Sequence, residues 1–94
     1  MSNLPGFDEL FLECVRAELQ AARKAWPGND DMGFVVLEEA GELAKAMLHH
    51  KHHGGHAIEV WKEAVQTAAM AMRIATEGDA NLPYRPTSEM FDES

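Results

Sequence analysis

The sequence predicts an all-α fold, and three observations carry that prediction. Apolar residues recur at three- and four-residue spacing in three long segments, Gly and Pro clusters separate those segments, and no stretch alternates like a strand. Across 94 residues this gives one domain, 1–94, built as a helical bundle of three main helices per chain with 79–94 as an extended or mobile tail. A chain of this size buries only about 60–65% of its unfolded surface. The bundle is therefore expected to be marginal alone and to be completed by oligomerisation.

The first helix is predicted over about 7–26. Phe7, Leu10, Phe11, Cys14, Val15, Leu19, Ala22 and Trp26 recur at helical spacing there, and Glu9, Glu13, Arg16, Gln20, Arg23 and Lys24 fall mostly on the other side. Pro27-Gly28-Asn29 ends it, and Asp30 or Asp31 is placed to cap the next helix. That second helix is predicted from 32 to about 52, before Gly54-Gly55. Phe34, Val36, Leu37, Ala40, Leu43, Ala44, Met47 and Leu48 form one broad apolar face. Glu38, Glu39 and Glu42 lie opposite, with Val35 and Ala46 interleaved. Such a mixed face implies contact on both sides of the helix, which one small chain hardly supplies, so a homodimer or homotetramer is expected.

The third helix is predicted over about 56–77, stopping at Gly78. Ile58, Val60, Trp61, Ala64, Val65, Ala68, Ala69, Met72 and Ala75 make its apolar face. Glu59, Lys62, Glu63, Gln66, Arg73 and Glu77 make the other. In the tail, Pro83 and Pro86 flank Tyr84-Arg85, and Leu82, Tyr84, Met90 and Phe91 are candidates to fold over a neighbour.

A net charge of −8 argues against binding a nucleic-acid polymer, which needs clustered Lys and Arg. A single nucleotide remains compatible, because a metal ion can supply the positive charge that phosphates require. Cys14 is the only cysteine, so no internal disulfide can form and a reducing compartment is expected. The N-terminal residues lack a basic stretch followed by an apolar one, and no apolar run approaches the ~20 residues of a membrane span. A soluble, cytoplasmic protein with no membrane contact is the expectation.

The second helix carries the chemistry. Glu38, Glu39 and Glu42 project from one side at i,i+3 and i,i+4 spacing. Like charges so close repel, and a hard divalent cation held by oxygen ligands would turn that cost into a site. The plain alternative is a solvated acidic face. On the third helix Glu59 and Glu63 are i,i+4, and Glu63 and Gln66 are i,i+3. Two antiparallel helices joined at the Gly-Gly turn can oppose these oxygens, as bundle cores do when they build carboxylate sites. Oxygen-only ligands favour Mg²⁺ or Mn²⁺.

Glu38-Glu39-x-x-Glu42, followed after the 20 residues 43–62 by Glu63-x-x-Gln66, resembles the MazG-like family of all-α nucleoside triphosphate pyrophosphohydrolases. The likeness spans about 26–77 and includes the stretch from Glu63 to Arg73. The family's pattern is Glu-Glu-x-x-Glu, a gap, then Glu-x-x-Asp. The resemblance implies Glu39, Glu42 and Glu63 as Mg²⁺ ligands and Glu38 as the residue that positions or deprotonates the attacking water. Gln66 stands where the pattern has Asp. Its carboxamide oxygen can still ligate, but it brings no charge and cannot act as a base. The implied reaction hydrolyses a nucleoside triphosphate between its α and β phosphates, giving a nucleoside monophosphate and pyrophosphate.

Lys45, Lys62 and Arg73 are the candidate substrate-binding cations, with ordinary surface charge as the alternative. Trp26, Phe34 or Tyr84 could stack on a base, though core packing is the expectation for Trp26 and Phe34. His49-His50-Lys51-His52-His53-Gly54-Gly55-His56 includes the i,i+4 pair His49/His53, a spacing that suits Zn²⁺ or Ni²⁺. The favoured reading is a solvated helix end whose histidines complement the C-terminal dipole. Contact between these histidines and phosphate at the mouth of the site is a third reading. Cys14 is expected as a small core residue. The alternative to an enzyme is a non-catalytic helical oligomer that binds a nucleotide or protein partner.

Overall fold

Gly6, extended at φ −69° and ψ 170°, leads into α1 (Phe7–Ala25), whose first turn carries Asp8 and Glu9 and whose last carries Arg23 and Lys24. Both placements complement the helix dipole. The computed structural model describes residues 6–28, 30–81, 84 and 86–91. Expectations placed on residues 1–5, Asn29, Leu82, Pro83 and Arg85 lie outside the described residues. Helix α2 (Met32–His53) ends at Gly54, whose φ of 70° takes the left-handed form that glycine adopts without penalty. Helix α3 (Ala57–Glu77) ends at Gly78, also at positive φ, and a short 3-10 turn (Ser88–Phe91) follows. The fold is all-α, and among the described residues an isolated antiparallel bridge between Asp79 and Tyr84 is the only β pairing.

The expected cap of α2 is corrected by the structure. Asp31 holds the N-cap position in the left-handed region, at φ 59°, and its side chain makes no cap hydrogen bond. Asp79 replaces it from the far end of α3. The backbone N–H groups of Asp31 and Gly33 donate to the two Asp79 carboxylate oxygens at 3.2 and 3.1 Å. Since α2 has no acid in its own first turn, this borrowed carboxylate also supplies the negative charge that a helix start favours. Asn81 closes the arrangement, its N–H donating to Asp79 and its carboxamide to Asp31 Oδ1.

Helix α3 is the shared member. It packs against both α1 and α2, and among the described residues those two do not pack on each other. The core lies between α1 and α3, where Val15, Leu19, Val65 and Ala69 are buried and Phe11, Cys14, Trp61, Ala68 and Met72 surround them. Phe11 and Trp61 meet edge-to-face with ring centroids 5.2 Å apart, a favoured aromatic geometry. Cys14 is a half-buried neighbour of this cluster.

Covering α3 on two sides changes the expected face assignments. Its polar face is only partly solvated: Glu59 and Lys62 are exposed, but Arg73 is buried, and Glu63, Gln66 and Glu77 are half-buried. Helix α2 is turned over relative to expectation. Its mixed face, with Val35, Val36, Glu39, Leu43 and Ala46 half-buried, packs toward α3, while Phe34, Leu37, Ala40, Ala44, Met47 and Leu48 are exposed. Most of the apolar face expected to be packed therefore has no cover among the described residues, because α1 occupies another side of α3. Trp26 and Phe34, expected in the core, are 73% and 66% exposed. No helix among the described residues is long and apolar enough to cross a membrane.

Candidate functional site

A cavity of about 500 Å³ opens where α1 and α2 diverge over α3. Glu18 and Ala22 line it from α1, Met32, Val35 and Glu39 from α2, and Gln66, Met70 and Arg73 from α3. Trp26 and Asp30 edge it from the α1–α2 loop. A smaller hollow of about 240 Å³ lies along α2 and α3 and is lined by Glu42, Lys45, Ala46, His49, Glu59 and Glu63. The expected ligand set is thus divided, with Glu39 and Gln66 in the first space and Glu42 and Glu63 in the second.

Electrostatics join the two halves. The Glu39 carboxyl is held above its usual range by burial first, and then by the charges of Glu63, Glu18, Glu38 and Glu42. Glu63 itself has a buried carboxylate oxygen, Oε2, with no hydrogen-bond partner. A carboxyl oxygen hidden from water and left unpaired is costly, so a positive ligand there would offset a standing penalty. The donors fit a hard divalent cation in kind, being carboxylate and carboxamide oxygens. They are not assembled in geometry, since among the described residues no three His, Cys, Asp or Glu side chains gather to hold an ion.

The remaining expected residues fall in distinct places. Glu38 is exposed and lines neither space, although its charge reaches Glu39. Lys45 lines the smaller hollow. Lys62, 3.7 Å from Glu59, borders a groove of about 450 Å³ that shares Glu18 and Gln66 with the main cavity. Arg73 is only 1% exposed, and its donors are committed to protein acceptors. Nε and Nη2 bind the two Glu77 oxygens at 3.2 and 3.1 Å, Nη2 also reaches Gly28 O at 3.1 Å, and Nη1 reaches Ala22 O at 3.5 Å. Arg73 therefore builds the cavity wall, which corrects its expected role as a free cation for phosphate. Tyr84 is likewise engaged, its hydroxyl donating to Ala75 O.

Glu18 was not among the residues singled out from sequence. The signal was available: it lies i,i+4 from both Cys14 and Ala22, which puts an acid at the border of the apolar stripe of α1. The histidines behave as a helix terminus. His49 and His53 stack with centroids 5.6 Å apart, and His50 Nδ1 meets Gly55 O. A roomier hollow of about 730 Å³, lined by Phe7, Phe11, Val60 and Trp61 with only Asp8 and His50 as ionisable neighbours, has no carboxylate pair for phosphate chemistry.

No family model, curated protein or solved structure matches the chain.

Proposed function

We propose that the chain is a metal-dependent nucleoside triphosphate pyrophosphohydrolase that acts as a homodimer or homotetramer in a reducing, cytoplasmic setting. One observation carries the reading: carboxylates of α2 and α3 lie close enough to raise Glu39 at a half-buried edge, where Glu63 Oε2 is buried and unpaired. Glu39, Glu42, Glu63 and Gln66 would hold Mg²⁺, with Mn²⁺ as the substitute. When bound, the ion supplies charge neutralisation for the triphosphate and polarises the bond between its α and β phosphates.

The chain's own residues do the rest. Trp26, exposed at the cavity rim, offers a face on which a base can stack. Lys45 and Lys62 present cations along the two flanking spaces, and Arg73, paired with Glu77, holds the wall of the main cavity. The resemblance gives Glu38 the handling of the attacking water. Within one chain Glu18 is better placed for that task, because it lines the cavity it shares with Glu39 and its charge reaches that carboxyl.

Pyrophosphate release with Mg²⁺ across the common nucleoside triphosphates tests the reading. Glu39→Gln or Glu42→Gln is expected to abolish release while leaving the helical circular-dichroism signal unchanged. An undiminished rate in either variant defeats the assignment. The second reading, a non-catalytic oligomer that binds a nucleotide or protein, is favoured by the ungathered side chains and by Gln66. Nucleotide binding without turnover, in Mn²⁺ as well as Mg²⁺, would select it.

A further inference from the structure

The face of α2 turned away from α3 carries Phe34, Leu37, Gly41, Ala44 and Leu48, all exposed. Their spacing alternates three and four residues over two heptads, which is the seam of a two-stranded coiled coil. Phe34 and Leu37 are 66% and 70% exposed, far more than an apolar stripe with its partner in place. Gly41 adds an independent observation. It lies in the middle of a helix, where glycine costs about 0.5–1 kcal/mol relative to alanine, yet a Cβ built there would meet nothing within 4 Å. Nothing in its own chain requires that glycine.

We propose that this face is a docking surface for a second copy of the chain, packed antiparallel along α2 with a two-fold axis midway between Gly41 and Ala44. In that register Gly41 faces Ala44 of the second copy at the centre, Leu37 faces Leu48 of the second copy on either side, and Phe34 lies over Lys51 of the second copy at each end. Small residues at the middle let the backbones approach, leucines flank them, and the Lys51 stem can lie along the Phe34 ring while its ammonium stays in water. The flanks also match. Glu38 comes beside Lys45 of the second copy, twice by symmetry, and Ala40 leaves room for Met47 of the second copy. A parallel seam would instead place Glu38 beside Gly33 and Lys45 beside Ala40, pairing no charges. Charge complementarity thus selects the second copy as occupant and fixes its direction.

This deepens the oligomeric part of the proposed function. Its test reads association alone, so it fails or survives separately from hydrolysis. Sedimentation of the full chain at micromolar concentration is expected to give a dimer. Gly41→Leu should weaken association by about tenfold, because bulk at the axis separates the helices. Helix content should not fall, since a Cβ at this exposed position meets nothing within 4 Å among the described residues and leucine is a better helix former than glycine. Glu38→Lys and Lys45→Glu should each weaken self-association several-fold, and mixing the two variants should restore it, as each then meets its opposite charge. A monomer at all concentrations overturns the surface. A dimer indifferent to Gly41→Leu, or charge variants that mixing does not rescue, overturns the register.

Discussion

Glu39 and Glu77 show how one residue type is driven in opposite directions by its surroundings. Burial and four neighbouring carboxylates raise Glu39. Its folded-state value then exceeds its unfolded one, so the folded chain retains a proton that the unfolded chain has released, and stability falls as pH rises between the two. Glu39→Gln removes that charge and keeps the shape. In metal-free solution at neutral pH it is expected to stabilise the chain by about 0.3 kcal/mol in urea unfolding, the scale of a relieved like-charge pair. A loss of stability instead would mean the carboxylate has a partner that offsets its burial. For Glu77 the hydrogen bond from Arg73 outweighs burial, Arg23 adds to it, and the carboxyl is lowered. That contribution is present above the unfolded value and is lost as pH falls through the folded one.

Among elements, α2 depends most on residues distant in sequence. The Asp79 carboxyl is pushed up by burial, but backbone N–H groups of Asn81, Gly33, Asp31 and Met32 outweigh that and leave it lowered. Capping should therefore hold at neutral pH and weaken as acid protonates Asp79. Protection of the Asp31 and Gly33 amides relative to their intrinsic exchange rates is expected to fall on acidification, and in Asp79→Ala it should be low at every pH. Equal protection in the variant would show that the cap is idle. Helix limits were legible from sequence to within a residue, because glycine, proline and helical periodicity act locally. The packed face of α2 was not, since both of its sides carry apolar groups and the choice belongs to α3. The cap was invisible for a related reason: Asp79 lies 46 positions from Gly33 with no local pattern to announce it. For the candidate site, the acidic residues of α2 and α3 could be picked out by spacing, whereas their division between two spaces depends on how the helices cross.

At the scale of the molecule, apolar burial is thin. Among the described residues Val15, Leu19, Met32, Val65 and Ala69 are the buried hydrophobics, while Phe7, Leu37, Leu48 and Phe91 remain more than half exposed. So small a core leaves little margin over conformational entropy. If copies associate through their exposed faces, folding and assembly are linked by mass action. The thermal midpoint is then expected to climb with protein concentration, as differential scanning calorimetry would record. A midpoint fixed over a hundredfold dilution would show each protomer folding alone.

The carboxylate that seals the start of α2 is made late. During synthesis the chain emerges from its N-terminus, so α2 leaves the ribosome well before Asp79 does. In that interval its opening turn lacks an acceptor and its leucine-bearing side meets water. Only when translation passes Gly78 can the loose end be fastened, so the start of α2 is completed by a residue made after the whole of α3.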